Sequence, residues 1–214
     1  MTFNRFIPSA LALASFMLLG SAQAQVTLIN TQVPGNGLAG SNTVDASNWI
    51  AERFTLTSPA LIDSISAYVL SSDAGNDLGK TFTLAVYGNS GTNLPSLNWF
   101  ASDQGQLFQA AVAYNGDGWN GVSGLNWQLG AGSYWFALEA DGNGPSSLQA
   151  PTGALPSANK VAGYNGVATG YSAQGYSQAD TFGLRVTAAV PEPEGWALAV
   201  IGLLAAGSLA RRRS

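Results

Sequence analysis

The chain has 214 residues, of which 46% are hydrophobic and only 9% charged, with 26 glycines, no cysteine and no histidine. Without Cys or His, zinc fingers, catalytic zinc, copper sites and Ser-His-Asp or Cys-His nucleophiles are all excluded. The net charge of −4 repels phosphate backbones, so no nucleic-acid partner is expected.

The first element is a leader. Arg5 precedes an apolar run from Ala10 to Leu19, followed by Ala22-Gln23-Ala24, the small-x-small pattern that signal peptidase reads. The run is too short for an uncut anchor. Residues 1–24 are therefore expected to form a signal helix, handled by the secretion machinery and cleaved at Ala22 to Ala24. From Gln25 onward the exported chain is long enough for one domain with a real core. Between Gln25 and Val190, ten acids face four bases (Arg53, Lys80, Lys160 and Arg185) for a net charge of about −6. With no cysteine, that domain must be held by its core and not by disulfides.

"GNGLAG" (Gly35 to Gly40) spells a dinucleotide-binding fingerprint, but "SNTVDASNW" follows it where a helix is required. It reads as a loop. "NWIAERFTLT" (Asn48 to Thr57) then sets Trp49, Ala51 and Arg53 on one side and Ile50, Phe54 and Leu56 on the other. "ALIDSISAYVL" (Ala60 to Leu70) opposes Ile62, Ser64, Ser66, Tyr68 and Leu70 to Leu61, Asp63, Ile65, Ala67 and Val69. Period-two alternation of this kind predicts half-buried strands. Asp63 falls on the core-facing or edge row, where a hydrogen-bonded structural role is expected. "SSDAGND" (Ser71 to Asp77) clusters Asp73, Asn76 and Asp77, hard oxygen donors suited to calcium. The spacing lacks the closing glutamate of a calcium loop, so a solvated turn is the reading and no metal or cofactor is expected.

"KTFTLAVYG" (Lys80 to Gly88) predicts a strand with Phe82, Leu84 and Val86 toward the core. Further strands are expected at "SLNWFAS" (Ser96 to Ser102), "QLFQAAVAY" (Gln106 to Tyr114), "LNWQL" (Leu125 to Leu129), "GSYWFALEA" (Gly132 to Ala140) and "DTFGLRVTAAV" (Asp180 to Val190). Asn89-Ser90-Gly91, Asn115-Gly116-Asp117-Gly118 and Asp141-Gly142-Asn143-Gly144 supply turns between them. Ser146 to Gln178 reads as long loops with one or two short strands. No segment of the domain shows helical spacing. The fold class is all-β, an antiparallel β-sandwich of jelly-roll type over residues 25–189.

Glu52, Glu139 and Asp141 are acids of the type a glycosidase pair needs, with nothing to raise one above another. "GYSAQG" (Gly170 to Gly175) resembles a nucleophile elbow, but Gln174 replaces the second glycine and no histidine exists to activate Ser172. No enzymatic activity is expected. Aromatic rings stack on sugar C–H faces. Trp99 and Trp135, set within strands, read as packing residues. Trp119, Tyr164, Tyr171 and Tyr176 sit among turn residues and are the candidate glycan contacts.

The last 25 residues read "VPEPEGWALAVIGLLAAGSLARRRS". The apolar run Trp196 to Ala210 spans roughly 22 Å as a helix, against a hydrocarbon core of about 30 Å. Trp196 at one interface and snorkelling arginines at the other extend its reach. Arg211, Arg212 and Arg213 belong on the cytoplasmic side, which leaves the domain outside. Pro191 and Pro193 hold the residues before the helix extended. Pro191-Glu192-Pro193, an apolar helix and a basic end together resemble the PEP-CTERM sorting signal of exopolysaccharide-producing Gram-negative bacteria. The resemblance implies that residues 190–214 are a sorting signal, with a transmembrane segment at 196–210. It implies an exosortase as partner and a transient inner-membrane precursor. The processed product would reach the cell surface or an extracellular matrix, where exopolysaccharide is a further expected contact. "ERFTLTSPALIDSISAYVLSSD", "TFTLAVYGNSGTNLP" and "LGAGSYWFALEAD" are similar to the β-sandwich domains of surface proteins that use interchangeable anchors.

Overall fold

Alternating sequence becomes paired strands in the computed structural model, which describes residues 25–31, 40–89, 93–95, 105–153, 160–165, 171–172 and 180–190. The strands are β1 (Gln25–Asn30), β2 (Gly40–Val44), β3 (Asn48–Leu56), β4 (Ala60–Ser71), β5 (Thr81–Gly88), β6 (Gln106–Ala113) and β7 (Gly118–Leu129). They continue with β8 (Gly132–Glu139), β9 (Leu148–Gly153), β10 (Lys160–Asn165), β11 (Tyr171–Ser172), β12 (Thr181–Phe182) and β13 (Leu184–Ala189). A single helical turn, α1 (Ala74–Asp77), lies between β4 and β5.

These strands form two antiparallel sheets. One has seven strands, β1-β13-β4-β9-β12, with β2 added on β9 and β7 on β4. The other has six, in the order β11-β10-β3-β8-β5-β6. Apolar rows from both meet in one cluster: Ile50, Phe54, Phe82, Leu84, Val86, Phe136 and Leu138 from the six-stranded sheet, and Ile62, Ile65, Val69, Leu148, Leu184 and Val186 from the seven-stranded one. Two sheets packed face to face over such a core are a β-sandwich arrangement. Gln25–Ala189 forms one compact unit.

The expected core row Phe82, Leu84 and Val86 is buried. Its neighbours are buried too, because Ala51, Ala85, Tyr87, Trp135, Ala137, Ala162 and Tyr171 build a second cluster on the opposite face of the same sheet. The middle stretches of β3, β5 and β8 are therefore buried on both faces.

Three expectations need correction. In β4, a bulge at Asp63 interrupts the alternation, since Ile62 pairs with Ala188 while Ser64 pairs with Thr187. The extra residue re-phases the strand, so Ile62 and Ile65 both reach the core although three positions apart. Asp63 itself turns toward Gln25, whose Nε2 donates to it. The turn before Trp119 also ends earlier than its glycines suggest. The Asn120 side chain ties off Asn115–Gly118 through Asn115 N–H, Gly116 C=O and Gly118 C=O, so β7 begins at Gly118 and Trp119 is a strand residue. Lastly, β1 and β2 form from Gln25–Asn30 and Gly40–Val44, where no strand was expected. The stretch Ser96–Ser102 lies outside the described residues.

Candidate functional site

The six-stranded sheet buries a carboxyl on its outward face. Glu139 ends β8 on the row of Trp135 and Ala137, where it is 7% exposed. Its Oε1 accepts hydrogen bonds from the Tyr87 hydroxyl at 2.7 Å and the Tyr171 hydroxyl at 3.0 Å. Tyr87 comes from β5 and Tyr171 from β11, so one oxygen joins three strands. Burial pushes the Glu139 carboxyl up to about 7, while the two hydroxyls pull the other way. Around it, Trp49 donates from Nε1 to the Ala140 carbonyl at 2.8 Å, and Trp135 donates to Asn89 Oδ1 at 2.9 Å.

Glu52 lies on the other side of that sheet. Its neighbours along β3, Ile50 and Phe54, face the inter-sheet core. Glu52 is fully buried there, and the Phe182 N–H of the opposite sheet donates to its Oε1. Its Oε2 has no partner among the described residues. Burial drives this carboxyl well above its ordinary range, against the pull of the Phe182 amide. Register explains the separation: Glu52 pairs with Phe136 and Ala51 with Ala137, so Glu139 belongs to the Ala51 row. A backbone sheet stands between the two acids, and they cannot flank one glycosidic bond. Asp141 is occupied locally, accepting from the Asn143 N–H at 2.8 Å in its own turn.

The acidic turn Ser71 to Asp77 folds inward as a hydrogen-bond hub. Asp77 is inaccessible to solvent and accepts from Ser71 Oγ and Ser147 Oγ, each at 2.7 Å, and from the Ser146 N–H at 3.0 Å. Lys80 adds an ion pair at 3.2 Å. Burial alone would raise this carboxyl, but its donors outweigh that and hold it well below the usual carboxylate range. Asp73 instead accepts from Asn76 Nδ2. Among the described residues, no group of three acids converges on a metal-sized space.

Trp119 stands on the outer face of the seven-stranded sheet. It pairs across β4 with Tyr68, the rings meeting edge to face with centroids 5.6 Å apart. The Arg185 guanidinium lies over the indole, 3.8 Å from its centroid. Arg185 belongs to β13 and pairs with Ser66, so its side chain crosses β4 to reach the ring. Ser66 in turn pairs with Gly121, and Ser64 with Ser123. These small residues leave an open depression of about 310 Å³ lined by Ser64, Ile65, Ser66, Gly121, Val122 and Ser123.

Of the other expected sugar contacts, Tyr171 is buried and bonded to Glu139, which corrects its reading as a loop aromatic. Tyr164 lies in β10, its backbone opposite Trp49 on one side and Tyr171 on the other. Ser172 pairs with Gly163 in the β10–β11 ladder. Ala22, Ala24, Tyr176, Pro191, Glu192, Pro193, Trp196 and Arg211, Arg212 and Arg213 lie outside the described residues. Tyr68 and Arg185 were not singled out by sequence. Each sits on the outward row of its strand, a signal that becomes useful only when the strands are aligned. No protein-family model matches the chain, and no curated protein is similar to it.

Proposed function

We propose that the chain is an exported, non-enzymatic surface or extracellular-matrix protein of a Gram-negative bacterium, sorted by an exosortase. One observation carries this reading: Pro191-Glu192-Pro193, then the apolar run from Trp196, then Arg211-Arg212-Arg213, in that order. The run holds the precursor in the inner membrane, the arginines keep its end cytoplasmic, and the extended tripeptide outside the bilayer is the part a protease cleft grips. Among the described residues, no helix is long and apolar enough to cross a membrane, and the run at 196–210 lies outside them. The separation of Glu52 and Glu139 by a sheet supports a non-catalytic domain. We read the sandwich as a jelly roll because β3 to β9 repeatedly cross between the two sheets.

Changing Pro191 and Pro193 together to alanine tests the sorting role. The full-length precursor is expected to accumulate in the inner membrane, as seen by cell fractionation and mass. Surface delivery at the wild-type level would refute it.

A second reading, binding of extracellular polysaccharide, is favoured by Trp119, Tyr68 and the hydroxyl-bearing depression beside them. It predicts retention of the full-length protein by a glycan array.

A further inference from the structure

We infer that the outer face of the seven-stranded sheet is a subsite for an acidic sugar, with Arg185 receiving the carboxylate of a uronate residue. This rests on the polysaccharide-binding reading and assigns it a place and a ligand class.

Charge supplies the first argument. Arg185 and Asp63 are the only charged residues in the strands of this sheet. Asp63 is engaged by Gln25, and among the described residues Arg185 makes no ion pair. An exposed guanidinium with no ion pair among the described residues is the one cationic group of these strands, and so the one able to select an anion.

Its placement supplies the second. The guanidinium carbon sits over the indole, 3.8 Å from the Trp119 centroid. A guanidinium has five N–H donors, and a ring contact does not consume them, so donors remain for a carboxylate. Stacking also restrains a long side chain before any ligand arrives, which lowers the entropy lost on binding.

The depression supplies the third. About 310 Å³ lies at the lower end of the ~300–1,000 Å³ range for small-ligand sites. Ser66 and Ser123 bring hydroxyls to it, and Ser64 Oγ shares a 2.7 Å hydrogen bond with Thr187 Oγ1. Hydroxyls suit sugar hydroxyls, and Tyr68 with Trp119 forms an aromatic wall at one end. Openness on the surface suits an internal residue of a polymer.

The test uses the full-length protein in detergent and isothermal titration with three probes: a hexauronate, its carboxyl-reduced neutral counterpart and polyglutamate. The hexauronate should bind at least about tenfold more tightly than the neutral hexasaccharide, as expected for a charge-assisted bidentate contact, and weaken with salt. Arg185→Gln should erase that difference. Ser123→Leu, which fills the depression from an exposed position, should weaken both sugars, with thermal melting confirming that each variant is folded. Equal affinity for the two sugars, insensitive to Arg185→Gln, would overturn the acidic class and leave polysaccharide binding standing. Binding of neither sugar would overturn both. Equal affinity for polyglutamate would replace the sugar with an acidic peptide.

Discussion

Asp77 illustrates how one residue can organise a surface turn. Its two oxygens collect donors from Ser71, Ser146, Ser147 and Lys80, tying the end of β4 to the segment before β9. Charged acceptors make stronger hydrogen bonds than neutral ones, and a buried donor left alone is costly. Asp77→Ala is therefore expected to lower stability by roughly 3 kcal/mol in urea unfolding. Asp77→Asn should recover only part of that, because an amide nitrogen cannot accept from the serines. A loss within experimental error for Asp77→Ala would mean that water replaces the carboxylate, contrary to its burial. The oxygen-rich spacing of Ser71 to Asp77 was visible in sequence. That its acid points inward to serines seventy residues away was not, because those serines are brought near only by the closing of β9 on β4.

Strands pair by contact between specific residues, and β7 approaches β4 closely at Gly121. A Cβ on Gly121 would lie 2.7 Å from Ser66 Cα and would also press on the Ile65 carbonyl and Ser66 Cβ. The backbones approach closely because residue 121 has no side chain. Gly121→Ala is thus expected to cost about 2–3 kcal/mol as an overpacking change. It should also displace Arg185, whose path runs over this row, and lower Trp119 cation–π contact as read by indole fluorescence. Retention of both stability and emission would show that the strands separate freely. The bulge at Asp63 acts at the same scale, since one extra residue exchanges the faces of everything after it. Sequence alternation identified β3, β5 and β8 well because each keeps one phase throughout, and it found β6 although an extra residue at Leu107 shifts its register against β5. It failed within β4, where the backbone changes phase, and at β7, where glycines that look like a turn are strand residues making room for a neighbour.

At the scale of the molecule, the buried acids set the pH response. Burial raises Glu52 and Glu139 above their ordinary 4.5, so the folded state holds protons that the unfolded chain has released. Their contribution is fully present below pH 4.5 and is lost as pH rises, through about 7 for Glu139. Asp77 acts in the opposite direction: its contribution is present above 3.8 and is lost on acidification. Stability should peak in mildly acidic solution and decline toward neutrality. Glu139→Gln removes its share of that decline, and above pH 8 the variant should exceed the wild type by up to about 3 kcal/mol while matching it near pH 4.5. Wild-type stability that rises from pH 5 to 8 in thermal unfolding would contradict the protonated state of both carboxyls.

The sequence by itself determined the class of chemistry and the local form. The absence of Cys and His removes whole families of mechanism, period-two alternation makes strands, and the layout of the last 25 residues suggests how the protein is handled. These are properties of composition or of neighbours along the chain. Tertiary structure decided which residues share a face. Glu52 and Glu139 look equivalent as acids, yet pairing of Glu52 with Phe136 assigns them to opposite sides of one sheet. Trp119 and Arg185 are far apart in sequence, and meet because both β7 and β13 pair with β4. Alternation is written locally, but register is set by the closure of a core drawn from the whole chain, and a site exists only once that register is settled.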